Sequence, residues 1–290
     1  MSKYYCLIAG LPHISADDTK LTYTVADFKA EVESILTAAD QQLMRWFYLK
    51  YDNKSLLLYL RKSLVEQFDD RGNFSQDDIK ELCDLLKNEG RAPAKMPVPA
   101  YLTTFIQAYY ARLESEESID FNLLEDQLTA SYFEAAMACD NAFMSSWFEM
   151  NMNMGNILTA LNCRKYGLNK ENYIVGGNEI AEQLRASSAR DFNFGNEIDY
   201  LTELSPIVEE KDPLLREKRL DLLRWKWLDT QTFFKTFDIE AVISYVLRLE
   251  MLERWMMLDK VRGEKTFRQL VSGMKQESAA TLEEFKEKNK

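Results

Sequence analysis

Histidine is almost missing from this sequence: His13, beside Pro12, is the only one in 290 residues. A histidine-dependent triad, an H-E-x-x-H zinc site or a multi-histidine iron site cannot be built from it. Neither G-x-x-x-x-G-K-[ST] nor G-x-G-x-x-G occurs, which argues against direct nucleotide hydrolysis. The four cysteines, Cys6, Cys83, Cys139 and Cys163, are widely spaced and form no C-x-x-C. A zinc or redox motif is therefore not expected, and reduced, mostly buried thiols are the simplest reading. Basic charge is also short: 36 Lys and Arg stand against 47 Asp and Glu, for a net charge of −11. A general nucleic-acid binder needs a basic surface, so no nucleic-acid partner is expected. No apolar run approaches the roughly 18 to 20 residues of a membrane span. The start, "MSKYYCLIAGLPHIS", lacks the basic opening and long apolar stretch of a signal peptide. These absences imply a cytoplasmic chain that meets a membrane only at its surface or through a partner.

Glycine (10) and proline (6) are few as well, and that scarcity favours helices. Residues 4–11 read as a short extended piece or strand closed by Gly10. Helices are predicted over Val25–Leu36, Ala39–Lys62, Ser75–Glu89 (stopped by Gly90) and Pro99–Glu114. A longer one is predicted from Asn122 to Tyr166 with a break near Cys139, and others over Glu179–Ala186, Leu214–Phe234 and Ile239–Arg262. "RAPAKMPVPAY" (91–101) is the clearest connector, "SSARDFNFGNE" (187–197) a loop, and Pro206 and Pro213 bracket an acidic linker. The charged end, 273–290, is expected to fray.

The strongest periodicity lies on one helix. Phe143, Trp147, Met150, Met154, Ile157, Leu161 and Arg164 follow spacings of 4, 3, 4, 3, 4 and 3. Gly155 within it predicts a close backbone crossing. Arg164 has two readings: a helix-end arginine with its stem on the core and its head capping carbonyls, or an ion pair to Glu250 or Asp52 that fixes one lobe against another. Sliding Arg45–Lys62 by 101 positions places Trp46 on Trp147, Phe47 on Phe148, Leu49 on Met150, Asp52 on Asn153, Leu56 on Ile157 and Leu60 on Leu161, without a gap. A third segment, Tyr245–Leu258, shares the texture but aligns less well. Within it Glu250 and Arg254 stand four apart, a spacing for pairing along the helix.

These three segments together resemble the central-stalk coupling subunit of rotary V-type and A-type ATPases, in its archaeal, bacterial and eukaryotic forms alike. The resemblance spans about residues 40–265. Its carriers are Tyr51-Asp52 with Leu56, then Asn153 with Asn156-Ile157, Leu161 and Ile174-Val175-Gly176-Gly177, then Tyr245, Glu250 and Arg254. Asn162 and Trp255 depart from the family pattern, which implies a divergent bacterial branch. The resemblance implies an all-α fold of three bundle-like lobes forming a funnel, with limits near 1–98, 99–200 and 201–272. It further implies a non-catalytic coupling role between central-shaft subunits and the membrane proteolipid ring, on the inner face of the membrane, with no cofactor or metal of its own.

Two sequence features fit other accounts. Gly176-Gly177-Asn178 suits a turn and helix cap, or an anion site at a helix start. Arg216, Lys218, Arg219, Arg224 and Lys226 make the most basic window of an acidic chain. That window reads as the outer face of an amphipathic helix, or as a contact to an acidic partner or anionic head groups. A helical scaffold or regulatory adaptor is the alternative function. An enzyme using carboxylates alone, with a divalent cation, is a third for which no spacing singles out a site.

Overall fold

The computed structural model describes residues 4–62, 68–116, 118–195 and 198–257, with 263, 268, 271 and 272. The expected fraying of 273–290 and the helix end at 258–262 lie outside the described residues. The fold is all-α: the described residues hold eleven α-helices, one 3-10 turn and no strand. The helices are α1 Tyr5–Gly10, α2 Val25–Val32, α3 Ala38–Leu60, α4 Gln76–Glu89, α5 Ala100–Glu114, α6 Phe121–Met137, α7 Ala142–Tyr166, α8 Glu179–Ala186, α9 Leu201–Val208, α10 Pro213–Thr232 and α11 Ile239–Met257.

Local chemistry sets most boundaries. Ser75 and Asp78 form a reciprocal capping box at the start of α4, and Gly90 ends it in the left-handed conformation. Asn141 caps α7 by accepting from Met144 N, which separates α7 from α6 near the expected Cys139 break. Gly167, at φ 68°, ends α7. Asp212 caps α10 ahead of Pro213, whose missing N–H costs nothing at a first helical position.

Three expectations are corrected. Residues 5–10 form a helix rather than a strand; Ile8 N donates to Tyr4 O, so the segment satisfies its own backbone without a neighbouring strand. Pro206 lies inside α9 rather than opening a linker. The bond it forgoes belongs to exposed Thr202, four residues back, where water can replace it. Gly155 faces open space with no atom within 4 Å of a Cβ placed there, so no backbone crosses it.

Helices adjacent in sequence pack together along much of the chain, and α11 returns to pack on α2. One contiguous apolar core draws on α2 through α11. The seam of α7 is part of it: Trp147, Met150, Met154 and Ile157 are buried, while Phe143 and Leu161 are half-buried. On α3, Leu49, Leu56 and Leu60 are buried and Trp46 is half-buried. Of the thiols, Cys83 and Cys163 are buried, but Cys6 is exposed and Cys139 intermediate; all four are free.

Candidate functional site

The polar residues of the long helices do two different things, and register decides which. One set ties α3 and α7 to the loops that open the helices after them. On α3, buried Asp52 accepts three hydrogen bonds: Oδ2 from Asn73 N (3.0 Å) and Asn73 Nδ2 (2.7 Å), and Oδ1 from Phe74 N (2.9 Å). Ser55 Oγ accepts from Asp69 N at 3.3 Å. Burial pushes the Asp52 carboxyl up from its usual range, and the three donors work against that shift. A Cβ on Gly72 would overlap Asp52 Oδ1, so the loop approaches this closely only with glycine there.

The positions 101 residues later on α7 do the same work. Asn156 Oδ1 accepts from Val175 N at 2.9 Å, and its Nδ2 donates to Val175 O at 2.7 Å. Asn153 Oδ1 accepts from Nδ2 of Asn178, the residue that caps α8 through its bond from Ala181 N. Gly176 adopts φ +79°, and a Cβ there would lie 2.7 Å from Met152 Sδ. The Gly176 carbonyl accepts from Arg185 Nη2 at 2.6 Å. Gly176-Gly177 therefore works as a turn leading to a capped helix. Ile157, on the same helix, is fully buried.

The second set joins helices far apart in sequence. Lys50 pairs with Glu250, whose other oxygen accepts from Tyr51 Oη at 2.6 Å; together they link α3 to α11. Desolvation holds the Lys50 ammonium below the usual lysine range, Glu250 opposing it. Arg71 lies over the Tyr51 ring at 4.3 Å and pairs with Asp69 and, at 3.5 Å, with Glu253. Asp221 on α10 is buried and accepts from Arg254, Arg224 (2.9 Å) and Trp255 Nε1 (2.8 Å). Arg224 Nε also donates to Asn151 Oδ1 on α7 at 2.8 Å. Tyr245 Oη donates to Pro12 O at 2.9 Å, tying α11 to the N-terminal segment.

The expected ion pairs are thus re-sorted. Asp52 bonds a loop; Glu250 pairs across helices with Lys50 rather than along α11 with Arg254, which bonds Asp221 and Glu217. Arg164 reaches neither Asp52 nor Glu250. Its guanidinium donates to Ala189 O (2.6 Å) and Arg190 O (2.9 Å) and lies 4.3 Å from the Phe192 ring. That ring and Phe194 are buried and anchor the 187–195 loop, a role its D-F-N-F letters hinted at only through two aromatics in a polar run. In the basic window, Arg219 pairs with Glu210, Lys226 with Glu203, and Arg224 turns inward, while Lys218 rests 5.0 Å from the Trp255 ring. Arg216 is half-buried. Much of the window's charge is neutralised within the chain.

Six members of the inter-helix set, Lys50, Asn151, Asp221, Arg224, Glu250 and Arg254, line a cavity of about 650 Å³ bounded by α3, α6, α7, α10 and α11. Lys50 and Asn151, related by the 101-residue shift, both line it, as do Phe47 and its counterpart Phe148. Among the described residues no group of three or more His, Cys, Asp or Glu side chains is placed to hold a metal ion. No helix among them is long and apolar enough to cross a membrane. No curated protein and no solved structure matches the chain. A family model described as "Protein of unknown function (DUF2764)" matches residues 1–278, almost the whole sequence, and the chain belongs to that family.

Proposed function

We propose that this protein is a non-catalytic coupling subunit of a rotary V-type or A-type ATPase. In this reading it seats the central shaft on the membrane proteolipid ring and transmits torque for ion transport. It works in the cytoplasm, peripheral to the inner face of the membrane. The observation that carries the reading is the repeated clamp, in which Asp52 with Ser55 and Asn153 with Asn156 tie two long helices to the loops that follow them. These residues belong to the segments that resemble the stalk component. A torque-bearing part must resist shear between its helices. The Lys50–Glu250–Tyr51 and Asp221–Arg224–Arg254 ties, from residues up to 200 positions apart, supply directional contacts that apolar packing alone does not.

The test is depletion of the protein followed by isolation of membranes. Loss of ion-coupled ATPase activity, with the soluble head still hydrolysing ATP, supports the role. Unchanged coupling, with no motor component co-purifying, removes it and leaves a helical scaffold or regulatory adaptor.

A further inference from the structure

We propose that the cavity between α3, α6, α7, α10 and α11 binds an organic anion, a phosphate or carboxylate group attached to an apolar body. The charge of its wall runs against that of the chain. In a protein of net charge −11, five cations line the cavity, Lys50, Lys54, Arg61, Arg224 and Arg254, against three acids, Glu125, Asp221 and Glu250. Each acid is already engaged: Glu250 by Lys50 and Tyr51, Asp221 by Arg224, Arg254 and Trp255, and Glu125 by Arg61. Beyond the lining, Arg254 also bonds Glu217 and the Lys54 charge acts on Asp69. Among the lining residues themselves cations outnumber acids, five against three, so the wall is net positive in a net negative protein and favours an incoming anion.

The same wall is apolar elsewhere. Leu57, Leu128, Phe133, Trp147 and Phe148 form much of the remaining lining. Lys50 and Lys54 on α3 and Arg61, the residue that caps its end, follow one another at spacings of four and seven along one face, with Leu57 and Leu58 beside them. An inorganic anion would use the cations and leave the aromatic wall wet, whereas a neutral apolar molecule would strip water from the cations. A ligand with both parts satisfies both, and the volume of about 650 Å³ lies within the range of small-molecule pockets. The anion comes from either of two sources, a free metabolite with a phosphorylated aromatic body or the end of a lipid with a phosphorylated chain. The inference does not depend on the coupling role, because it is read on the purified chain.

The experiment titrates the full-length protein with 1-anilinonaphthalene-8-sulfonate, an aromatic anion whose fluorescence rises in apolar surroundings. Saturable one-site binding is expected. It should weaken as salt is raised, and by about tenfold in K54E/R61E, since each reversed charge removes one partner and adds a repulsion. K80E, an exposed change on α4 away from the cavity, should bind like the wild type. ATP displacing the dye better than inorganic phosphate identifies the metabolite source, and dodecyl phosphate doing so identifies the lipid source. Should K54E/R61E not fold, K54E alone, at an exposed position, must show about threefold weakening. Absent saturable binding, undiminished binding in the charge-reversed protein, or inorganic phosphate competing as well as both organic anions overturns the proposal.

Discussion

Replacing Asp52 by alanine should unfasten the loop that leads into α4. The carboxylate is 2% exposed and is the acceptor for Asn73 N, Asn73 Nδ2 and Phe74 N. A hydrogen bond to a charged group contributes roughly 1.5–3 kcal/mol, and leaving donors buried without a partner costs a similar amount each. Three such losses do not add fully, because water can reach a loosened loop. The expected destabilisation is about 3–5 kcal/mol, a large share of the roughly 5–15 kcal/mol typical of a folded domain. Asp52→Asn calibrates the reasoning. An amide that puts its oxygen at the Oδ2 position keeps both bonds from Asn73 but turns its NH2 towards Phe74 N–H. It should cost about 1–2 kcal/mol, one bond rather than three. Urea unfolding followed by circular dichroism gives both numbers, and hydrogen exchange should show the Asn73 and Phe74 amides losing protection first. An Asp52→Ala protein within about 1 kcal/mol of wild type, or Asp52→Asn as costly as Asp52→Ala, would refute this account of the clamp.

Ile157→Ala, at a fully buried site on α7, should cost about 2–5 kcal/mol, and Leu161→Ala, at a half-buried one, about 1–2 kcal/mol; equal losses in urea unfolding would contradict the described seam. Gly155→Ala should stabilise by about 0.5–1 kcal/mol, since it restores helix propensity where nothing stands in the way. Gly72→Ala should do the reverse, lowering the melting temperature by forcing Asp52 away from the loop; a calorimetric scan of the pair separates the two cases. Lys50 supplies a pH test. Desolvation lowers its folded pKa, while the unfolded chain keeps the proton to about pH 10.4. Between those two values the unfolded state holds more protons, so stability gains as pH rises. The stability of wild type relative to Lys50→Met should therefore increase across that window, and a decrease in paired urea titrations would reverse the assignment.

Helical periodicity, caps and breakers are local, and the sequence by itself determined what depends on them. The Ser75–Asp78 box, the Gly90 and Gly167 stops and the α7 seam need only residues within a turn or two of one another. The match between Asp52 and Asn153 was legible for a related reason, because a repeated supersecondary unit keeps its polar contacts at fixed offsets. Local pattern failed where a choice turned on what lies across space. The apolar run at residues 4–9 fits a strand or a helix equally, and only the lack of a partner strand among the described residues decided it. Gly155 suggested a crossing because glycine usually has a packing reason, yet nothing approaches it. Glu250 and Arg254 had the right spacing to pair with each other. Each instead found a partner on another helix, Lys50 in one case and Asp221 in the other, because burial between packed helices makes an unpaired charge costlier than a lost exposed pair is worth. The cavity and the surplus of cations around it belong wholly to the tertiary structure, since they arise from five helices whose lining residues are separated by up to about 200 positions.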